Sequence, residues 1–307
     1  MKQQIVSLIL AMLIPTGVLA QVTPQGGDIH SRDRGKEGAE GFVGWVESYT
    51  HLFWDKFSVP GLPDAEAKLL SMDRTTGARS QITRLPAGWS HPRGYHNTNE
   101  EIFVLDGDLT IGGKLMTKYS FAYFPAGYAH GDAYSKYGAT LLHFWDAEPD
   151  FVQAGKSLAN VRLDEVVEDW NFYDRPWTKN ENFVKWADFP PPADTRIKLL
   201  RQDKKTGQMT WINWFKPSYT DFAGQNAWEV HPSWEEFLLL EGDLTFSECM
   251  PGTGPMKTTY QEGGYFWRPK NIRHVGPGIF ATGHVMFLHR SGAPLWADYY
   301  PDCNEGP

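Results

Sequence analysis

One unit written twice constrains this chain more than any other feature of its 307 residues. Lys68-Leu69-Leu70 opens the stretch KLLSMDRTTGARSQITRLPAG, and Lys198-Leu199-Leu200 opens KLLRQDKKTGQMTWINWFKPS. The run HNTNEEIFVLDGDLT from His96 to Thr110 answers HPSWEEFLLLEGDLT from His231 to Thr245. Tyr123-Phe124-Pro125 with His130 answers Phe266-Trp267-Arg268-Pro269 with His274, and Leu142-His143 answers Leu288-His289. Four landmarks recurring in one order mark a duplicated structural unit, which must fold as two copies of one architecture.

Each copy reads as strands. Arg79 to Leu85 and Gln208 to Phe215 are alternating or β-branched, and Glu101–Leu105 and Glu236–Leu240 are short apolar runs ending near Gly. The Asp-Arg-Thr-Thr-Gly and Asp-Lys-Lys-Thr-Gly segments are polar, Gly-ended turns, which predicts a hairpin from Leu69 to Leu85 and another at the matching place. Short strands punctuated by Gly and Pro favour an all-β sandwich or barrel. Between the copies, Glu148 to Asp194 reads as a strap that packs its tryptophans on the barrels, with one short helix expected near Leu163–Trp170. The expected organisation is a leader at 1–20, an N-terminal domain with strap at 21–185 and a C-terminal domain at 186–307.

The first twenty residues carry Lys2, an apolar run from Ile5 to Leu13 and a small-residue Val18-Leu19-Ala20 end, the layout of a secretory signal peptide. An uncleaved anchor is the alternative. Cleavage predicts a periplasmic or secreted protein with 28 basic and 37 acidic side chains, a net charge of −9. That balance, with no basic run, argues against nucleic acid and against anionic membranes as partners. A small-molecule substrate and a homodimer are both compatible with it. In an oxidising compartment Cys249 and Cys303 can pair, and two free thiols are the alternative.

The polar residues that recur suggest metal chemistry. His96, Glu100 and His130 flank turns beside strands in the first copy; His231, Glu235 and His274 do so in the second. Imidazole and carboxylate together suit first-row divalent ions, and two His with one carboxylate is the composition of open non-haem Fe(II) sites. His91 can add a ligand if the loop Pro92-Arg93-Gly94-Tyr95 folds back, and Glu229 lies on the same strand face as His231. The competing reading is a set of hydrogen-bonded polar residues in a barrel mouth. His143 and His289 sit at matching places, either supporting the ligands, acting as bases or packed in the core. Arg93 is a candidate contact for a substrate carboxylate, or an exposed loop cation. Trp89, Tyr95, Phe103, Tyr123 and Tyr128 would wall the first pocket for an apolar substrate, with Tyr128 among the candidate catalytic groups; Trp234 and Trp267 would wall the second.

These residues resemble the motifs of the cupins, Gly-x5-His-x-His-x3-4-Glu-x6-Gly and Gly-x5-Pro-x-Gly-x2-His-x3-Asn. His96-x3-Glu100-x6-Gly107 and Pro125-x-Gly127-x2-His130 match their cores in the first copy; His231-x3-Glu235-x6-Gly242 and Gly263-x5-Pro269-x-Asn271-x2-His274 match in the second. The resemblance runs over Lys68–Phe144 and Lys198–His289 and implies two tandem double-stranded β-helix barrels. It looks closest to the ChrR-like, anti-sigma-factor-like cupins and to exported bicupins. The leading His of His-x-His is Gly94 in one copy and Glu229 in the other, and the second-motif Gly is Tyr119 in the first. The full three-His, one-Glu set of oxalate decarboxylases and germins is therefore incomplete in both copies unless His91 substitutes, so their reaction is not transferred. The resemblance implies a divalent metal, with Fe(II) favoured and Zn, Mn or Ni as alternatives, and an oxygenase or C–C-cleaving reaction on a small carbonyl or aromatic compound. A Zn or Mn lyase, isomerase or hydrolase and a non-catalytic binder or sensor remain alternatives. The absence of a side chain at Gly94 predicts an open coordination position in the first site; paired Glu229 and Glu235 predict a raised carboxyl pKa in the second when no metal is bound.

Overall fold

In a computed structural model the described residues are 32–35, 42–45, 48–179, 195–216, 227–250, 254–276, 279–293 and 297–303. The leader and the boundary expected at residue 185 lie outside them. The described chain is β-structure with two 3-10 turns, Tyr49–His51 and Leu163–Glu165. The helix expected near Leu163–Trp170 is one such turn followed by the strand Val167–Trp170. Val166, Val167 and Trp170 suit an extended, half-buried edge better than a helix.

Two seven-stranded sheets dominate. In the first, the order is Val167–Trp170, Phe121–Phe124, Glu100–Gly107, Ala139–Trp145, Arg79–Leu85, Ala65–Met72, Asp55–Phe57. In the second it is Val43–Trp45, Tyr265–Arg268, Glu235–Glu241, Val285–Ser291, Met209–Phe215, Arg196–Gln202, Thr178–Lys179. The correspondence holds strand by strand, and both expected hairpins form. Their turns are built alike: Asp73 Oδ1 accepts the Thr75 N–H at 2.8 Å and Asp203 Oδ1 the Lys205 N–H at 2.7 Å. Gly77 and Gly207 then take φ of 76° and 79°, which their lack of a Cβ permits.

The edges exchange strands. Val43–Trp45, which precedes the first copy, pairs with Tyr265–Arg268 of the second; Val167–Trp170, which precedes the second, pairs with Phe121–Phe124 of the first. Each copy's leading strand thus completes the other copy's sheet. Smaller sheets close each barrel. In the first, Trp89–His91, Ala133–Ser135, Leu109–Ile111 and Lys114–Met116 form a four-stranded sheet.

Strand alternation divides each large sheet into two faces. Ile102 and Val104 enter the first barrel's interior cluster, whereas Phe103 and Leu105 join an apolar cluster shared by both barrels. Phe237 and Leu239 face the second interior, whereas Leu238 and Leu240 join the shared cluster. Leu70, Ile82 and Leu142 meet Leu200, Ile212 and Leu288 there, so equivalent positions of the two copies form one core.

Charges are buried in this interface and are satisfied across it. Arg290 donates to Glu236 Oε2 at 2.7 Å and to Glu101 Oε1 at 3.0 Å. Thr210 donates to Glu101 Oε2 at 2.7 Å, and Arg201 lies 3.4 Å from Glu101 Oε1. Burial works to raise the Glu101 carboxyl, but the Arg290 and Arg201 guanidinium groups hold it below its ordinary value. Tyr265 links the same network by donating to Glu236, with its oxygen 2.6 Å from Ser71 Oγ of the other copy. Tyr119, standing where the motif has Gly, takes φ of 69° and donates to Glu241 across the interface at 3.0 Å.

Arg290→Met is expected to destabilise the protein by about 3–5 kcal/mol, because Glu101 and Glu236 would lose the cation they share while remaining buried. Urea unfolding checks this. An unchanged midpoint would show that the interface does not depend on the charge network.

Candidate metal centres and their surroundings

The same alternation sends Glu100, immediately before Glu101, into the first barrel. There the structure gathers His96, Glu100 and His130, all buried, with one ligand atom of each within 4.8 Å of the others. His96 and His130 lie on turns flanking the strand pair Glu100–Gly107 and Phe121–Phe124. Gly127, at φ 79°, makes the bend that returns the chain towards His130, and its N–H bonds the His96 carbonyl at 2.7 Å.

Hydrogen bonding leaves metal-ligand lone pairs. His96 Nδ1 donates to the Asp150 carbonyl, and His130 Nδ1 donates to the Gly131 carbonyl at 3.2 Å. In the neutral rings each Nε2 then carries a lone pair. Those atoms lie 3.6 Å and 3.9 Å from Glu100 Oε2. Burial pushes the His130 imidazole down to about 4 against the pull of Glu100. Burial works to raise Glu100, yet His96, His143 and His130 hold it far below the carboxylate range. Glu100 Oε2 and His130 Nε2 are buried without a hydrogen-bond partner. Unpartnered acceptors converging on one point are costly unless a cation takes them, so this donor set fits a divalent metal.

His143 supports Glu100. Its Nε2–H donates to Glu100 Oε1 at 2.7 Å, and its Nδ1 lies 3.4 Å from Thr83 Oγ1, which accepts from Gln81 Nε2 at 2.9 Å. One carboxylate oxygen is thereby occupied and the other left for the ion. The His143 ring is also buried against that of Trp145, 3.6 Å away centroid to centroid, so the supporting contact and core packing coincide at this residue. His91 lines the same cavity, with Nδ1 2.8 Å from the Pro92 carbonyl, but it is outside the group of three.

The cavity beside these groups, about 530 Å³ with its mouth included, has apolar walls. Phe57, Val59, Leu62, Leu85, Trp89 and Leu141 contribute, and no Lys or Arg is among the described residues that line it. Arg93 and Tyr128 do not line it. Arg93 Nε donates to the Gly155 carbonyl at 3.2 Å on an exposed loop, and the Tyr128 hydroxyl is taken by Glu168. Phe103 and Tyr123 face the barrel interface because they alternate with inward residues. The space beside Gly94 is occupied: a Cβ there would meet the Phe151 ring and the Val152 carbonyl.

In the second barrel the group that could hold a metal is Glu229, His231 and His274. Glu235 is committed elsewhere. Arg268 and His274 approach its Oε1, the latter at 3.0 Å, and His289 Nε2 donates to Oε2 at 2.9 Å. Arg268, buried and pinned over Phe266 at 4.1 Å, also makes a two-point pair with Glu248. The expected raised carboxyl is therefore not Glu235. Burial opposes ionisation of Glu235, but Arg268 and the histidines hold it well down. Glu248 is pushed up to about 7 by burial, with Arg268 opposing and Glu235 adding to the rise. Trp234 and Trp267 line a cleft between the barrels instead of this pocket, since Trp267 pairs with the outward-facing Glu236.

Arg268, Glu248 and Phe151 were missed as site residues. Arg268 and Glu248 carried a signal: each is a charge on an inward step of a strand, Glu248 following Leu244 and Phe246. Phe151 carried none, because its place depends on how the segment after the barrel folds back. Asn271, in place of the motif's Gly, adopts φ of 67°, a left-handed conformation that Asn tolerates. Cys249 and Cys303 are disulfide-bonded.

His130→Ala and Glu100→Ala are each expected to lose the metal from the first barrel, whereas His91→Ala retains most of it. Metal content after dialysis, measured with folding checked by circular dichroism, tests this; full retention in His130→Ala would refute the ligand set.

Comparisons agree with two cupin barrels. A presumed dioxygenase of Nostoc punctiforme is 19% identical, with a TM-score of 0.66 over 88% of this chain and 92% of that one. A mutant of Bacillus subtilis oxalate decarboxylase is 11% identical, with a TM-score of 0.52 over 82% and 78%. The same enzyme studied for its Mn(II) centres is also 11% identical, with a TM-score of 0.51 over 82% and 78%. At these identities the likeness concerns the fold. No curated protein matches in sequence. The model of the domain of unknown function DUF4437 matches residues 54–294, most of the chain, so this two-barrel protein belongs to the DUF4437 family.

Proposed function

We propose that the protein is an exported, metal-dependent oxygenase whose reaction takes place in the first barrel. The observation that carries this reading is the convergence of His96 Nε2, His130 Nε2 and Glu100 Oε2 beside an apolar cavity, the last two atoms buried without a hydrogen-bond partner. His96, Glu100 and His130 would hold the ion, with Fe(II) favoured over Zn, Mn or Ni. A redox-active ion held there supplies the means of activating O2 and of polarising a substrate oxygen. The chain's own part is to keep Glu100 ionised and oriented through His143, to keep both ligand rings in one tautomer and to exclude water with apolar walls.

The walls point to the substrate class. Without a cation among the lining residues, a dicarboxylate would enter uncompensated and lose its hydration. A small uncharged carbonyl or aromatic compound fits better. A Zn or Mn centre acting as a Lewis acid is the second reading, and the Mn(II) centres of the Bacillus subtilis neighbour make Mn one candidate ion for it. The likeness to ChrR-like sensors rests on the motifs alone. Export rests on the leader pattern and is supported by the Cys249–Cys303 bond, which suits an oxidising compartment.

Iron-loaded protein is expected to consume O2 with neutral diketones or aromatic diols and to leave oxalate untouched. Oxygen-electrode measurements test it; turnover without O2 uptake would favour the Lewis-acid reading. Glu100→Ala should abolish turnover, while folded Glu235→Ala should keep most of it. The reverse pattern would move the reaction to the second barrel.

A further inference from the structure

We propose that Phe151 is a coordination plug: its ring occupies the place where the family motif carries a further histidine, and it decides which side of a metal in the first barrel stays accessible. This rests on the metal-centre reading given above.

The argument starts at Gly94. A Cβ there would lie 2.3 Å from Phe151 Cζ and 2.5 Å from the Val152 oxygen, so space demands glycine. Its φ is not in the left-handed range, so backbone conformation does not. The Phe151 ring is 4.9 Å from the His91 ring, 5.4 Å from His96 and 6.4 Å from His130, centroid to centroid. An apolar ring thus stands against the imidazoles where a polar ligand would otherwise sit.

The flap carrying Phe151 is fastened on both sides. Val152–Gln153 pairs with Gly94–Tyr95, and the Leu158 N–H bonds the Gly127 carbonyl at 2.9 Å beside the His130 turn. The neighbouring Asp150 accepts from His96 Nδ1 through its carbonyl and from the Asn97 N–H, at 2.8 Å, through its carboxylate. Two consecutive residues therefore do linked tasks: Asp150 orients one ligand, and Phe151 blocks the position next to it. Phe151 does not line the cavity, so exogenous ligands reach the centre from the side of Phe57 and Leu62. The second barrel differs at this position: Asp298–Tyr300 pairs with Trp228–Val230 in the same way, but Glu229 supplies a carboxylate there.

The test uses the full chain carrying His274→Ala, which leaves the first barrel as the one complete three-ligand group among the described residues, with Co(II) as the probe. Visible absorption and imidazole titration are compared among Phe151, Phe151→Leu and Phe151→Ala. Phe151→Ala should still bind Co(II), but with weaker visible bands as coordination number rises and about tenfold tighter imidazole binding. Phe151→Leu, which keeps an apolar plug, should stay within about twofold of the parent. Unchanged spectra and imidazole affinity in Phe151→Ala would overturn the proposal, as would loss of Co(II) from both variants with the fold intact. A parent that binds no Co(II) would overturn the metal-centre reading itself, whereas a binding parent with no Phe151 effect would leave that reading standing.

Discussion

The period of two along a β-strand, applied to a pair of adjacent glutamates, organises both barrels. Glu100 and Glu235 point into the barrels, and Glu101 and Glu236 point out into the surface between them. The outward pair is drawn together by one guanidinium, that of Arg290, and the inward pair is held by His143 and His289 on the neighbouring strands. Arg290 follows His289 directly, so one step along that strand separates the interface from the second centre. Register at the interface and orientation at the centres are therefore set by the same strand pairings, and a slip of one residue would destroy both.

The two centres have diverged at the position next to their shared histidines. In the first barrel an aromatic ring from the following segment fills it, and the carboxylate Glu100 keeps an uncommitted oxygen. In the second a carboxylate, Glu229, fills it, and Glu235 is saturated by Arg268, His274 and His289. A buried guanidinium beside the motif glutamate does electrostatically what a metal would do: it stabilises the anion in a low-dielectric interior. The cost of burying Arg268 is offset by its two-point pairing with Glu248 and its place over Phe266. The equivalent residue of the first barrel is Phe124, which pairs with Glu100 as Arg268 pairs with Glu235 and stacks on His130 at 4.7 Å. One aromatic-to-cation difference thus separates a carboxylate free to bind an ion from one already neutralised.

After its last large-sheet strand each barrel folds a short strand back over its own centre, and the two are fastened differently. Asp150 and Phe151 anchor the first through hydrogen bonds and ring contacts. The second is tied by the Cys249–Cys303 bond and by Arg273, which donates to Asp302 and lies over the Tyr300 ring at 4.2 Å. These attachments join the tail to Trp228–Val230, to the neighbour of His274 and to the neighbour of Glu248. A disulfide closing a loop of that length contributes about 4 kcal/mol by chain entropy, enough to hold a terminal strand in place.

Duplication, strand alternation and motif spacing made the barrels, their hairpins and the His96, Glu100 and His130 group legible in the amino-acid sequence, because each is carried by a residue pattern that recurs in both copies. Three features were not: the exchange of Val43–Trp45 and Val167–Trp170 between barrels, the insertion of Phe151 beside Gly94 and the capture of Glu235 by Arg268. Each joins segments far apart in the chain, and no local periodicity records which of several compatible partners a strand edge, a small residue or a buried charge will meet. The sequence by itself determined which side chains face inward; tertiary packing alone decided which of those inward groups were left free to hold an ion, since that depends on every other charge and ring brought to the same point.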